Sequence, residues 1–256
     1  MNLEQFFSKY KKVAVAFSGG VDSSYLLYVA KKYAKEVKAY YVKSAFQPDF
    51  EFENALKFVS DFDIDLKVIR VNILSNKQVV SNPKNRCYFC KKQIFSAIYK
   101  EASKEGFNVI IDGTNASDEE SDRPGMKALK ELSVLSPLKL CKITKSDVRK
   151  LSKKENLPTW NKISYTCLAT RIATGQRIDK YLLQRTEKAE KYLFSLGFID
   201  FRVRTVGVTA KIQIRKEQFP LIVSHRKKIF KKLSADYKTV CLDMEARNER
   251  GIKANS

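Results

Sequence analysis

A chain of 256 residues with 44% apolar side chains can bury one large core or two smaller ones without covalent staples. Its formal net charge of +21 points to an anionic partner, and 21 Lys+Arg against 9 Asp+Glu in residues 160–256 lean that charge toward the carboxyl-terminal part. No apolar run approaches the roughly 20 residues needed to cross a bilayer, and the amino terminus lacks the apolar core of a secretion signal, so a cytoplasmic protein with no membrane partner is expected.

In chain order, residues 12–17 read as a buried strand, followed by Ser18, Gly19 and Gly20 and then a helical pattern from Ser23. Glycines there permit backbone angles other residues resist, and a helix start presents unpaired N–H groups to an anion, most simply a phosphate. Strands over 37–42 and 66–71 alternate with a helix around "FENALKFVSDF", and a lysine-rich helix starting near Tyr88 precedes the strand "NVIID", which ends at Asp112. Such alternation predicts a parallel sheet with helices on both faces and ligands beyond the carboxyl ends of the strands. Ser18–Asp22 and Asp112–Asn115 both fall at such ends.

Residues 158–176, "PTWNKISYTCLATRIATGQ", read as a joint in which Trp160, the only tryptophan, is expected to pack. Beyond it come a long amphipathic helix (178–196), two alternating strands around Gly207, a helix over 219–233 and a last strand, "TVCLDM". The predicted organisation is an α/β domain over 1–170, a small α+β domain over 171–247 for substrate binding or oligomerisation, and a frayed polar tail over 248–256.

Cys87 and Cys90, two residues apart at a helix start beside Arg86, Lys91 and Lys92, suit metal or redox chemistry in a reducing compartment. Cys167 follows in "SYTCLATRIATGQ". Three thiolates leave a tetrahedral zinc one ligand short unless Cys141, Cys241 or His225 completes it, whereas a [4Fe–4S] cluster held by three keeps one iron open. Cys141, after a predicted strand, and Cys241, in an apolar run, read as core residues, and His225 in "SHRKK" as a surface one.

The stretch "SGGVDSS" fits neither the dinucleotide nor the Walker spacing. It resembles the PP-loop of the ATP pyrophosphatase superfamily, whose members split ATP between the α and β phosphates. The resemblance implies that Ser18, Gly19, Gly20, Ser23 and Ser24 hold ATP phosphates, that Asp22 is a Mg2+ ligand or a helix cap, and that Asp112, Gly113, Thr114 and Asn115 border the nucleotide. Together "SGGVDS", "NPKNRCYFCK", "DGTNASDEESDRPGMKAL", "LPTWNKISYTCLATRI" and "FRVRTVG", in that order over about residues 10–215, resemble the LarE-type sulfur transferases of nickel-pincer nucleotide synthesis.

That likeness implies adenylylation of a carboxylate of pyridinium-3,5-biscarboxylic acid mononucleotide, followed by displacement of AMP by sulfur to leave a thiocarboxylate. It also implies Cys167 as the catalytic cysteine and a homo-oligomer; the sulfur comes either from a sulfide source through a [4Fe–4S] cluster on Cys87, Cys90 and Cys167, as in three-cysteine members, or from Cys167 itself, as in one-cysteine members. Arg202 and Arg204, on one face of a predicted strand, would hold the substrate phosphate with Thr170 and Arg171. Arg123 would touch a phosphate, and Asp118, Glu119 and Glu120 would bring magnesium. Ile163 and the pair Val206-Gly207 depart from the family pattern, which bears on the detail of substrate binding. The rival reading is a PP-loop enzyme that thiolates tRNA, which the charge suits. Against it, the sequence shows no separate RNA-binding module with interleaved aromatic and basic residues. A zinc-bearing nucleic-acid binder is the non-enzymatic alternative.

Overall fold

The opening segment forms α1 (Leu3–Lys9), β1 (Lys12–Ala16) and α2 (Val21–Tyr33) in the computed structural model, which describes residues 1–118 and 124–247. Side-chain alternation in β1 feeds two cores: Val13 and Val15 pack with Phe6, Phe7, Leu26 and Phe58, while Ala14 packs with Tyr40, Phe95 and Ile98. A strand covered on both faces is apolar where it is covered, as residues 13–16 are here. β2 (Glu36–Lys43), α3 (Asp49–Asp61), β3 (Leu66–Arg70), α4 (Lys77–Val80), α5 (Arg86–Lys104) and β4 (Ile110–Asp112) follow. The four strands are parallel in the order β3-β2-β1-β4. This is the expected α/β architecture.

Three short helices close this part: α6 (Pro124–Glu131), α7 (Pro137–Leu140) and α8 (Lys145–Lys154). Thr144 caps α8 in a capping box with Asp147. Cys141 therefore follows a helix, not a strand; in the nearby segment Leu135 pairs with Ile111 of β4 as an isolated bridge. With α1, these helices go beyond the elements anticipated from periodicity, because runs of four to ten residues carry little of it.

The chain divides into two compact units, Met1–Val79 with Pro83–Ser164, and Val80–Asn82 with the chain from Tyr165. The second contains α9 (Lys180–Ser195), β5 (Arg202–Val206), β6 (Thr209–Gln213), α10 (Phe219–Leu233) and β7 (Thr239–Leu242). β5 and β6 are antiparallel and β6 and β7 parallel, over a core of Leu193, Phe198, Phe201, Val203, Ile212, Ile229 and Leu233. Residues 165–170 belong to this unit. So does Asn82, fully buried, whose side-chain amide donates to the carbonyls of Ala173 (2.7 Å) and Gln176 (3.1 Å). Glu119, Glu120, Arg123 and the tail 248–256 lie outside the described residues.

Candidate active site

In the first unit, Phe17–Gly20 turn the chain from β1 into α2. Strand order reverses between β1 and β4, and open α/β sheets bind ligands at such a point. Gly19 sits at φ +72°, and a Cβ on it would lie 3.1 Å from that of Ala55, so only glycine fits. Gly20 is the helix N-cap and no side chain caps it, which leaves the start of α2 facing this space with its positive dipole end. The hydroxyls of Ser18 and Ser23 stand 3.1 Å apart, and the Gly20 N–H points to Ser18 Oγ at 3.4 Å. Ser24 is completely buried, and its hydroxyl has no protein partner.

The end of β4 presses on the same helix start. A Cβ on Gly113 would lie 2.8 Å from the Ser23 nitrogen, so the close approach of strand and helix depends on its absence. Asp112 is buried and accepts hydrogen bonds from Thr114 Oγ1 and Ser136 Oγ, each at 2.6 Å. Asp22 accepts from Lys145 Nζ at 2.5 Å and from the Asn115 amide at 3.4 Å. Burial raises the pKa of Asp22, and the Lys145 ammonium opposes that shift. Asp22 is thus no helix cap: Gly20 holds that position, and Asp22 is a half-buried carboxylate that needs a cation beside it. Its chemistry suits Mg2+, which proteins bind through one or two carboxylates with substrate phosphates. Lys145 was not among the expected site residues.

A second lysine outside the expected set closes the loop. Lys162 donates to the Gly19 carbonyl at 2.9 Å and to Glu51 Oε2 at 2.6 Å. Trp160, two residues earlier, is 36% exposed, with the Lys153 ammonium 4.8 Å from its ring centroid. Its side chain is not packed away as expected.

Cys87 and Cys90 lie on the first turn of α5, Cys87 exposed and Cys90 half-buried. Three residues apart, they share one helix face. All five cysteines carry thiols. Among the described residues, no three His, Cys, Asp or Glu side chains are gathered closely enough to hold a metal ion. The three thiols expected to hold a cluster fit in kind, with two in the first unit and Cys167 in the second.

Cys167, half-buried, leads into a 3₁₀ turn, Leu168–Arg171. Its carbonyl accepts from the Thr170 N–H (3.0 Å) and hydroxyl (2.8 Å), which tightens the turn. Arg171 lies beneath, 1% exposed, with Nε on Glu190 Oε1 at 2.8 Å and one terminal nitrogen on Thr166 Oγ1 (2.6 Å) and Thr170 Oγ1 (2.8 Å). Burial works against its charge, but Glu190 more than offsets it and holds the pKa above the ordinary value. So enclosed, Arg171 supports the cysteine turn from below. Glu190 also accepts from the Val203 N–H (2.8 Å) and from Tyr165 Oη, joining helix, strand and turn.

Arg202 and Arg204 share a face of β5. Arg204 donates to the Thr170 carbonyl and to Gln213 Oε1 (2.9 Å), so it reaches the cysteine turn directly. Arg202 is buried, with its guanidinium 5.4 Å from the Tyr165 ring centroid. Burial, with repulsion from Arg171 and Arg247, pulls its pKa down to about 10. Asp200, 3.7 Å from the Arg202 guanidinium, and Glu190 offset that shift in part.

The sequence profile described as queuosine biosynthesis protein QueC matches residues 12–86, the stretch that contains the glycine loop. The uncharacterized protein slr1717 of Synechocystis sp. is 36% identical over 87% of this chain and 83% of its own length. MJ0830 of Methanocaldococcus jannaschii, also uncharacterized, is 32% identical over 95% and 93%. The pyridinium-3,5-bisthiocarboxylic acid mononucleotide synthase of Lactiplantibacillus plantarum is 29% identical over 91% of this chain and 86% of that protein. The chain belongs to the LarE-type PP-loop sulfur transferases.

As a LarE-type protein it is an ATP-dependent sulfurtransferase, and both units share in the likeness. Lys145, Lys162, Glu51, Tyr165 and Glu190 are the site neighbours that sequence reasoning missed. Each is separated from its partner by between 19 and 143 residues, too far for any local pattern to reveal.

Proposed function

We propose that this protein makes a thiocarboxylate from a carboxylate of pyridinium-3,5-biscarboxylic acid mononucleotide, the sulfur-insertion chemistry of nickel-pincer nucleotide synthesis. The observation that carries the reading is the pair of arginines on one face of β5 beside the cysteine turn: Arg204 touches the turn that begins at Cys167, and buried Arg202 shares its strand face. Forked guanidiniums on one strand face suit a mononucleotide phosphate. Thr170, on the same turn, offers a hydroxyl.

In the first step a carboxylate oxygen of the substrate attacks the α phosphorus of ATP, and pyrophosphate leaves with the bonding pair. The loop Ser18–Ser23 binds the departing phosphates through main-chain N–H groups and hydroxyls, and Mg2+ held by Asp22 would offset their charge. In the second step a sulfur nucleophile attacks the acyl carbon and AMP leaves, which it does far more readily than hydroxide. Cys167 stands on the turn below the phosphate site. Cys87, Cys90 and Cys167 would hold a [4Fe–4S] cluster, which when bound supplies a sulfide that does not come from the protein chain. An external sulfide source then restores it.

The test is anaerobic incubation of purified protein with ATP, Mg2+ and the pyridinium dicarboxylate, with product identified by mass. Replacement of a carboxylate oxygen by sulfur, with stoichiometric AMP, supports the reading. ATP consumption stimulated only by tRNA, with thionucleosides in the RNA, would replace it.

A further inference from the structure

Lys162 occupies an unusual place for a lysine. It is half-buried against the phosphate loop, with side-chain exposure of 19%, and Glu51 on the first turn of α3 is at 11%. A solvated lysine would cover surface, whereas this one is delivered to a single peptide group, Gly19, at the tightest point of the loop. Its backbone is held there. Arg149 of α8 spreads its two terminal nitrogens over the carbonyls of Trp160 (2.8 Å) and Lys162 (2.9 Å), and the Lys162 N–H closes a turn on Thr159 O at 3.0 Å. A guanidinium that grips both ends of a short turn fixes the direction in which the lysine leaves it.

Glu51 makes sense only with that lysine. A carboxylate near a phosphate loop repels nucleotide unless it is neutralised, and the ion pair at 2.6 Å neutralises it. Lysine suits such a place because its ammonium is a compact charge with three donors, able to change one acceptor while keeping another.

Resting on the reading of Ser18–Ser23 as an ATP loop, we propose that Lys162 is a phosphate-binding residue for the pyrophosphate end of the nucleotide. Glu51 holds its ammonium in place until ATP arrives, and the ammonium then turns toward the phosphates while it keeps the Gly19 carbonyl. Lys162 is thereby the group that distinguishes ATP from AMP, and after the first step it stabilises the leaving pyrophosphate. No bond beyond those of the adenylylation is made or broken.

Calorimetric titration of the full chain with α,β-methylene-ATP and with AMP, each with Mg2+, tests this. In Lys162→Ala, affinity for the triphosphate analogue is expected to fall by about tenfold or more, the scale of one charge-assisted hydrogen bond, while AMP affinity stays within about twofold. Lys162→Arg should recover part of the loss. Glu51→Gln, which removes the competing acceptor, should leave triphosphate binding as tight as before or tighter. Equal losses for AMP and the triphosphate analogue in Lys162→Ala, or a loss in Glu51→Gln as large as in Lys162→Ala, would overturn the proposal and leave the lysine as a brace for the loop. Unaltered protein that binds neither nucleotide would instead refute the ATP-loop reading itself.

Discussion

On the proposed reading, the two units solve the same problem, holding an anion, in different ways. The first uses main chain: a glycine loop, an uncapped helix start, and a strand end brought close by a missing Cβ at Gly113. The second uses buried side chains, with Arg171 and Glu190 paired at almost no exposure beneath the cysteine turn. Main chain gives a cradle whose shape depends on a few glycines and whose charges remain near solvent. A buried network ties the site to the stability of its unit, so one substitution there should cost both folding and function.

The strongest way to break that contrast is at Glu190. Its removal leaves Arg171 charged and buried without its carboxylate, so Glu190→Ala should cost the second unit about 3–5 kcal/mol. Chemical denaturation followed by fluorescence will measure this. A loss under 1 kcal/mol would mean the network is not what holds the cysteine turn.

Gly113→Ala comes next. Its added carbon would sit 2.8 Å from the Ser23 nitrogen, so β4 or α2 must shift. We expect a cost of about 1–3 kcal/mol and a loss of ATP binding out of proportion to it. Stability and nucleotide affinity measured on the same variant will separate the two.

A smaller effect belongs to Arg204→Lys. The charge is kept, but the fork shared between the Thr170 carbonyl and Gln213 is lost, so KM for the pyridinium mononucleotide should rise about tenfold while KM for ATP is unchanged. Equal changes in both would separate the arginine from the mononucleotide.

The smallest lies away from either site. Hydrogen bonds from Lys38 and Lys67 hold the Glu105 carboxyl down to about 2, below its ordinary 4.5. Its contribution to stability is complete above pH 4.5 and is lost as pH falls toward 2. Because the Glu105 side chain is partly exposed and its lysine partners are near solvent, the difference between Glu105→Gln and the unaltered protein should be a few tenths of a kcal/mol at pH 5 and vanish near pH 2.

The same contrast explains what could be read in advance. "SGGVDS" announces itself because a main-chain cradle is contiguous: the glycines, hydroxyls and helix start all lie within six residues. The strand pattern of the sheet was legible for a similar reason, since burial concentrates apolar residues in short contiguous stretches such as 13–16 and 39–42. Arg202 and Arg204 could be placed on one strand face by their spacing alone. What could not be read is the pairing across distance. Nothing near Glu190 in sequence marks it as the acceptor for Arg171, and nothing near Lys162 points to Gly19. Short helices such as α7 also escaped, because a single turn has no period to detect. The burial of Arg171 beneath the cysteine turn was likewise hidden, because spacing does not encode burial.

The most direct test of the account is the fate of the substrate carboxylate. Protein prepared without oxygen should be incubated with ATP, Mg2+ and pyridinium-3,5-biscarboxylic acid mononucleotide, alongside Cys167→Ala, with products resolved by mass and AMP and pyrophosphate counted. The account predicts AMP and pyrophosphate in equal amounts and a thiocarboxylate product that is lost in the variant. Hydrolysis of ATP with no sulfur in the product, or a thiocarboxylate formed equally well by Cys167→Ala, would contradict it.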